Sequence, residues 1–323
     1  MTGGFRRACE SLLESLHGRG YKVEYLERNL AEFCEYAERR FPIAEELTEE
    51  IAEGWIYSKP EIASAQQMGK RVRSMRHLSA FLLAGGRDAY VPKRRFTAKK
   101  PTPPTLFTDE EARIFFETLD SRPAFPKGSP SIHAHDLTVM PVFFRLLYAC
   151  GLRSGEAASL MRADADLGRG VIHIVGAKER RDRAVYPSES MLGLLRQYDA
   201  RMERAIPGRA LFFQRGPEAA RMPKSYISEY FERVLYACGI GGRHPKNPTP
   251  HSLRHLFAVK SMAKCIAEGQ DFGNWIKYLS AYMGHASPKE TLYYLHVASA
   301  NLAEMRGKVA DLLEGEECAD EDL

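Results

Sequence analysis

Residues 139–156 read VMPVFFRLLYACGLRSGE, a mostly apolar run followed by a glycine, an arginine and a glutamate. The apolar part, which ends at Cys150, predicts a buried helix that stops at Gly151, because glycine is the commonest residue just after a helix. Arg153 follows this stop. Glu156 lies within one helical turn of it, where its carboxylate can orient the guanidinium. An Arg–Glu pair on a protein surface has the same spacing, so this stretch alone leaves both interpretations open.

A β-hairpin is predicted further along the chain. Residues 171–175 are mostly β-branched and predict one strand, and residues 184–186 predict the returning strand. Lys178 lies at the end of the first strand, where an amine can reach into a groove and donate a proton. A solvated hairpin tip is the alternative for any isolated lysine. The same turn also contains Arg180, Arg181 and Arg183.

The stretch PHSLRH at 250–255 places His251 and Arg254 three residues apart. Prolines at 245, 248 and 250 prepare a helix start, and on a helix this spacing puts both side chains on one side. One imidazole and one guanidinium can therefore grip a single phosphate, which helix N-termini also favour. The alternative is a capped helix with incidental basic residues.

The stretch YMGHASPKETLYYLH at 282–296 places a tyrosine at a fixed distance from a histidine. His285 follows a glycine, and Tyr294 lies nine residues after it, next to Tyr293. Alone, this stretch is equally consistent with an aromatic cluster in a core.

The order of these patterns is similar to that of the tyrosine recombinases, the family of phage integrases, chromosome-dimer resolvases and transposon integrases. Gly151-Leu-Arg153-x-x-Glu156 resembles the family's first-arginine box, and His251-x-x-Arg254 resembles its second. Any single box is weak, whereas the boxes in this order are specific.

The end of the chain and the hairpin extend the resemblance. Met283-Gly-His285 resembles the family's Leu-Gly-His, and Thr291-x-x-Tyr294-x-His296 resembles its Thr-x-x-Tyr-Thr-His ending. The family spacing of nine residues selects Tyr294 over Tyr293. At the hairpin the family often has Gly-Lys-Gly-x-Lys-x-Arg, whereas this chain has Gly176-Ala-Lys178-Glu-Arg180 and a longer turn.

The resemblance implies an enzyme that cuts and rejoins DNA through a covalent 3′-phosphotyrosine. The implied catalytic residues are Tyr294 as nucleophile, Arg153 and Arg254 at the phosphate oxygens, Lys178 as general acid, and His251 and His285 at the phosphate or in proton movement. Glu156 is implied as their support. No metal and no other cofactor is implied, because the ester conserves the bond energy and the histidines already have phosphate roles.

The predicted fold is mainly α with a small β-hairpin or sheet, in two domains that form a clamp on DNA. Residues 1–90 have helical periodicity and resemble the family's SAM-like core-binding domain, with Thr48 as a predicted N-cap. Residues 91–107 form a basic, proline-rich linker. Residues 108–310 resemble the catalytic domain and include a C-terminal exchange helix, and residues 311–323 form an acidic tail.

Basic side chains in the first domain and the linker are candidates for DNA binding. One face of the helix predicted around residues 62–82 and the linker contribute Lys70, Arg71, Arg73, Arg76, Lys93, Arg94, Arg95, Lys99 and Lys100. A merely solvated helix face and a plain interdomain tether are the alternatives.

The charge of the chain is unevenly distributed. The net charge is +4, and residues 311–323 contain seven acidic residues and no Lys or Arg, so residues 1–310 carry +11. A basic body suits a polyphosphate ligand, because neutralised phosphates release counterions. The six cysteines form no Cys-x-x-Cys pair, and no apolar run approaches the roughly 20 residues of a membrane span. We therefore expect a cytoplasmic, nucleoid-associated protein with no membrane partner.

The expected partner is double-stranded DNA with specific recombination sites, bound by a homotetramer whose protomers are monomers or weak dimers when free. Apolar residues in 297–313 recur at helical spacing, so this helix either packs on a neighbouring protomer or folds back on its own domain. Other interpretations are a non-cutting recombinase-like DNA-binding protein, a type IB topoisomerase, a telomere resolvase or a basic helical metabolic enzyme. Accessory proteins are not indicated by the sequence.

Overall fold

The computed structural model describes residues 4–21, 23–59, 65–93, 96, 105–121, 135–176, 182–216, 218, 220–285, 287 and 290–291. Outside the described residues lie Arg94, Arg95, Lys99, Lys100, Lys178, Arg180, Arg181, Tyr293, Tyr294 and the segments 297–313 and 311–323. The chain divides into two compact units, Met1–Thr102 and Pro103–Leu323, with the boundary inside the predicted linker.

The described part of the first unit contains four helices: α1 (Gly4–Gly18), α2 (Glu24–Arg40), α3 (Glu49–Ile56) and α4 (Ala65–Ala84). The predicted N-cap of α3 is confirmed, because the Thr48 hydroxyl accepts a hydrogen bond from the Ile51 backbone N–H at 3.3 Å. The apolar faces of the helices meet in one core, in which Phe33 packs edge-on against Trp55 with ring centroids 5.7 Å apart.

The basic residues of α4 divide between the surface and the core. Lys70 and Arg73 are exposed, and Arg76 donates to the backbone oxygens of Pro92 and Lys93. The prediction that Arg71 belongs to an exposed basic face is wrong, because this residue is only 7 % exposed. Its guanidinium lies 4.2 Å from the centre of the Trp55 ring. Packing therefore accounts for Arg71, since its cation stacks on an aromatic face inside the unit.

The second unit contains seven α-helices among its described residues: α5 (Asp109–Asp120), α6 (Asp136–Cys150), α7 (Ser154–Ala158), α8 (Glu189–Ala205), α9 (Lys224–Ala237), α10 (Pro250–Ala267) and α11 (Phe272–Met283). A short 3-10 helix, Arg162–Asp164, follows α7. The predicted buried helix is confirmed as α6, which ends at Gly151 in the left-handed conformation with φ 62°.

A small antiparallel sheet follows α7 and has the order β1 (Ala165–Asp166), β2 (Val171–Ile174) and β3 (Arg183–Val185). Strands β2 and β3 form the predicted hairpin, in register with Ile172 opposite Val185. The described helices and this sheet confirm the prediction of a mainly α fold with a small hairpin. Strand β1 was not predicted, because two residues show no alternation.

The core of the second unit brings three chain segments together. Phe115, Phe144 and Phe231 stack around the centre of α6, and α10 packs against both α6 and α11. The end of α6, the start of α10 and the end of α11 therefore meet, although they are far apart in the sequence. None of the described helices is long and apolar enough to cross a membrane.

The packing of Arg71 predicts how unit 1 responds to substitution. Arg71→Ala removes the stem that covers Trp55 and should lower the free energy of unfolding by about 2 kcal/mol. Arg71→Met keeps the stem and should cost less than about 1 kcal/mol. Urea unfolding followed by Trp55 fluorescence, in a Trp275→Phe background, measures this. Arg73→Ala is the exposed control and should change stability by less than about 0.5 kcal/mol; an equal loss in both alanine variants would contradict the packing role.

Candidate active site

Glu156 is the centre of a buried charge network at the end of α6. One of its oxygens accepts the Arg153 backbone N–H at 2.9 Å, and the other accepts Arg153 Nη1 at 2.9 Å. The backbone turn and the guanidinium are thus both fixed by one carboxylate. The Glu156 side chain is 8 % exposed and that of Arg153 is 26 % exposed, so the pair is not the solvated surface pair that the spacing left open.

Arg183, the first residue of β3, binds the same carboxylate from the other side. Its Nη1 and Nη2 donate to the two oxygens of Glu156 at 3.1 and 2.7 Å, and its Nε donates to the Tyr282 carbonyl at 2.7 Å. A bidentate Arg–carboxylate pair of this kind has a strongly defined geometry. The sequence left Arg183 as one of several arginines near the turn, whereas the structure buries it with 8 % of its side chain exposed.

The two arginines decide the ionisation of Glu156. Burial by itself would raise its pKa, but the hydrogen bonds and positive charges of Arg183 and Arg153 outweigh burial and lower the pKa to about 2. The carboxylate is therefore charged at any pH at which the protein works.

Arg254 lies at the base of the site and is fully buried. Its Nη1 donates to the Gly151 carbonyl at 2.5 Å, and its Nη2 donates to the Met283 carbonyl at 2.7 Å. These bonds connect α10 to the ends of both α6 and α11. Arg153 Nη2 donates to the next carbonyl, that of Gly284, at 2.9 Å. Two guanidinium groups are thus held by consecutive carbonyls at the end of α11.

Two glycines make this approach of backbone and side chains possible. Gly284 ends α11 with φ 65°, a conformation that disfavours other residues, and a Cβ there would lie 3.0 Å from Arg183 Nη1. A Cβ at Gly151 would collide with the Phe257 ring. The glycines of the Gly-x-Arg and Gly-His motifs are therefore required by the packing around the guanidinium groups.

His285 connects Arg254 to the segment that follows α11. Its Nε2 lies 2.8 Å from Arg254 Nη2, and its Nδ1 lies 2.6 Å from the Thr291 hydroxyl. Because a guanidinium is only a donor, Nε2 must be the acceptor and Nδ1 must carry the proton. Burial, followed by the charges of Arg254 and Arg153, lowers the pKa of His285 to about 3, so the ring is neutral.

His251 and His255 form a pair of imidazole rings near the start of α10. Their rings are 4.4 Å apart and meet edge to face. His251 reaches solvent, yet the surrounding protein and then the charges of Arg254 and Arg153 lower its pKa to about 4. Burial, followed by the neighbouring His251, lowers the pKa of His255 to about 3. Both rings are therefore neutral near pH 7.

The site contains three cations, Arg153, Arg183 and Arg254, and one anion, Glu156, which pairs with the first two. While the histidines are neutral, these four residues carry a net charge of +2, which suits a site that receives an anion. Within the described ranges, no group of three His, Cys, Asp or Glu side chains is placed to hold a metal ion.

The structure brings together Arg153, Glu156, His251, Arg254 and His285, which the sequence had placed in three separate motifs. Lys178 and Tyr294, the predicted acid and nucleophile, lie outside the described residues. Sequence analysis missed the roles of Arg183, His255 and Thr291. For Arg183 a weak signal existed, since it begins a strand whose next residues are apolar. That signal did not show that Arg183, rather than Arg180 or Arg181, pairs with Glu156.

The sequence model of the phage integrase family matches residues 130–301, just over half of the chain. The chain belongs to the phage integrase family. It is accordingly an enzyme, a tyrosine-type site-specific DNA recombinase.

Several relatives of this integrase are known by sequence. Two proteins of Sinorhizobium fredii (strain NBRC 101917 / NGR234), the putative integrase/recombinases y4rB and y4rE, are 25% and 28% identical to it. The alignments cover 90% and 94% of this chain and 92% and 94% of the relatives. The tyrosine recombinase XerC of Nitrobacter winogradskyi is 31% identical over 54% of this integrase and 50% of the relative.

Solved structures share the fold of this integrase. The Tn1549 transposon integrase in complex with a circular intermediate DNA has a TM-score of 0.62 at 17% identity, over 94% of this chain and 99% of that one. The XerH recombinase bound to a palindromic difH substrate has a TM-score of 0.61 at 20% identity, over 88% and 78% of the two chains. At such identities these likenesses show the fold alone.

The lowered pKa of Glu156 predicts an acid-sensitive share of stability in this integrase. A carboxylate whose folded pKa is about 2, against 4.5 for the ordinary group, stabilises the fold above pH 4.5 and loses that contribution as the pH falls towards 2. The contribution is about 3 kcal/mol at neutral pH and should fall by about 2 kcal/mol between pH 6 and pH 3. Glu156→Gln has no carboxylate to protonate at this position. The wild type should therefore exceed the variant in free energy of unfolding by less at pH 3 than at pH 6.

Urea unfolding at several pH values measures the difference between the two proteins. The neutral histidines add their own loss of stability below about pH 6.5 in both proteins, and this loss cancels except for the small part by which Glu156 raises the pKa of His251. Glu232→Gln, at an exposed carboxylate, is the control and should follow the wild type. A difference between wild type and Glu156→Gln that is constant with pH would contradict the charged, doubly paired carboxylate.

Proposed function

We propose that this integrase cleaves and rejoins DNA by transesterification through a covalent 3′-phosphotyrosine at Tyr294. The observation that carries the proposal is the pair of guanidinium groups, Arg153 and Arg254, on the consecutive carbonyls of Met283 and Gly284. This arrangement collects positive charge at the end of α11, ten residues before Tyr294. Fixed guanidinium forks suit the oxygens of a phosphodiester.

The proposed reaction conserves the number of ester bonds. The Tyr294 hydroxyl gives its proton to a neutral histidine of the site and attacks phosphorus, the bond from phosphorus to the 5′-oxygen breaks, and a 3′-phosphotyrosine and a free 5′-hydroxyl result. Lys178 gives its proton to the leaving 5′-oxygen. A 5′-hydroxyl from another strand then attacks the phosphotyrosine and releases Tyr294. No water is consumed, and no cofactor has to supply energy.

Arg153 and Arg254 stabilise the negative charge that grows on the non-bridging oxygens as phosphorus is attacked. Arg153 is the partly exposed member of the pair, whereas Arg254 is buried behind it. Contact between Arg254 and a phosphate therefore requires a rearrangement when DNA binds. The bond from Arg254 Nη2 to His285 Nε2 is the one that a phosphate oxygen can replace, because that oxygen is also an acceptor.

The histidines change state in the same step. An anion beside His285 and His251 offsets the cations that now lower their pKa values, so both pKa values rise when the phosphate enters. Each ring can then donate to a phosphate oxygen. Glu156 remains charged and keeps Arg153 in position.

The proposed partner is double-stranded DNA with specific recombination sites. The XerH and Tn1549 integrase structures are DNA complexes, and a lambda integrase tetramer is bound to a Holliday junction. We extend this to a homotetramer on DNA, assembled from monomers or weak dimers, in the cytoplasm and with the nucleoid. In unit 1, Lys70 and Arg73 are the exposed cations of α4 that would contact phosphates, and Lys93 is the first of the basic residues that the linker would add.

The nucleophile can be tested by a substitution that removes one hydroxyl. Tyr294→Phe should abolish the covalent adduct with DNA on a denaturing gel, because no other group can form the phosphotyrosine. Binding to the uncleaved site should stay within about threefold, since one hydroxyl contributes little to a large interface. Tyr293→Phe is the matched control and should form the adduct normally. Loss of the adduct in Tyr293→Phe alone would assign the nucleophile to Tyr293 instead of Tyr294.

The general acid can be tested with a modified leaving group. Lys178→Ala should slow cleavage of ordinary DNA by about 10² to 10⁴-fold, the range of general acid catalysis. DNA with a 5′-bridging sulfur has a leaving group that needs no proton, so it should restore the rate. Arg180→Ala is the comparison variant. Sulfur rescue of Arg180→Ala but not of Lys178→Ala would assign the acid to the arginine.

A further inference from the structure

Arg183 connects three parts of the second unit that the proposed reaction must keep in register. Its guanidinium binds the Glu156 carboxylate in α7 at 2.7 and 3.1 Å, and its Nε binds the Tyr282 carbonyl in α11 at 2.7 Å. Its own backbone begins β3, where Ile174 of β2 is its partner in the sheet. One side chain therefore ties the hairpin to the segments that hold Arg153 and Arg254.

Hydrogen bonds fix the hairpin at Gly176, near the end of β2, and at Arg183, the first residue of β3. On the β2 side, the Gly176 N–H donates to the Asp182 carboxylate at 2.7 Å. On the β3 side, Arg183 follows Asp182 directly and is anchored as described. Residues 177–181, which include Lys178, connect these two anchors in the sequence.

Arg153 depends less on Arg183 than the hairpin does. Glu156 still accepts the backbone N–H and the Nη1 of Arg153 when Arg183 is removed, and the Gly284 carbonyl still accepts Arg153 Nη2. Among the described residues at the turn end of β3, Arg183 is the one whose side chain bonds α7 and α11, whereas the Tyr186 backbone N–H bonds the Tyr282 side chain just beyond the other end of the strand. Loss of Arg183 should therefore displace the hairpin more than the pair of arginines.

We propose that Arg183 is a positioning residue that sets the hairpin, and with it the acid at Lys178, relative to the two phosphate-binding arginines. Arg183 itself does not touch the reacting atoms in this scheme. The proposal rests on the function proposed above, because it assigns Arg183 to the step in which the leaving 5′-oxygen is protonated.

The decisive measurement is the rate of covalent adduct formation on two substrates, ordinary DNA and DNA with a 5′-bridging sulfur. Arg183→Met keeps the length and removes all three donated bonds, and it should slow cleavage of ordinary DNA by about 100-fold, the cost of a misplacement of about 1 Å. The sulfur substrate should recover the rate to within about tenfold of the wild type, as it does for Lys178→Ala. Arg153→Ala should be slow on both substrates, because sulfur does not replace charge at the phosphate.

Two further variants complete the design. Arg169→Met removes an arginine that is 86 % exposed, in the turn between β1 and β2, and should leave both rates within about twofold. Arg183→Lys keeps the charge but not the fork, so its loss should be smaller and equally rescued by sulfur. Arg183→Lys also provides the ratio of the rates on the two substrates if Arg183→Met does not fold. Thermal unfolding followed by circular dichroism would show whether Arg183→Met folds.

Each outcome has one meaning. Equal losses on both substrates would mean that Arg183 serves only the arginines, through Glu156, and would overturn the link to the hairpin. Losses below about threefold on ordinary DNA would overturn any positioning role. An adduct that persists in Tyr294→Phe would refute the proposed nucleophile instead, and that result does not depend on Arg183.

Discussion

One buried carboxylate, Glu156, holds two guanidinium groups side by side that would otherwise repel each other. Arg153 reaches it from the same turn and Arg183 reaches it from the hairpin. Because the pKa of Glu156 lies near 2, the carboxylate is charged at neutral pH and can orient both arginines. The end of α6, the base of the hairpin and the end of α11 are consequently fixed relative to one another.

The remaining cation, Arg254, is held by backbone carbonyls rather than by an acid. Arg254 uses the carbonyls of Gly151 and Met283, and Arg153 also uses that of Gly284. Carbonyl partners orient a guanidinium without neutralising it, so the positive charge remains available to a phosphate. The neutral histidines add no charge of their own to this set of cations. The site is thus preorganised for negative charge, as phosphoryl transfer requires.

Much of the fold follows from local patterns in the sequence. Helical periodicity, the Thr48 N-cap and the glycine stop after α6 predicted helices that the structure contains, because each signal acts within a few residues. The two-residue strand β1 could not be predicted, since it is defined only by its partner β2. Arg71 was placed on a basic surface face because the sequence does not show that Trp55 lies beneath it.

In the candidate site, too, local patterns predicted some features and tertiary contacts decided the others. The sequence by itself determined which residue types stand in which order, and therefore the family, since Arg153, the His251-x-x-Arg254 motif and His285 occur in a specific succession. Only the tertiary structure decided that Arg183, rather than another basic residue of the turn, pairs with Glu156, and that His285 holds Arg254. Those choices depend on which helix and strand ends meet in space. These two contacts join residues 27 and 31 positions apart, and the bond from Arg153 to Gly284 spans 131 positions, so no local pattern records them.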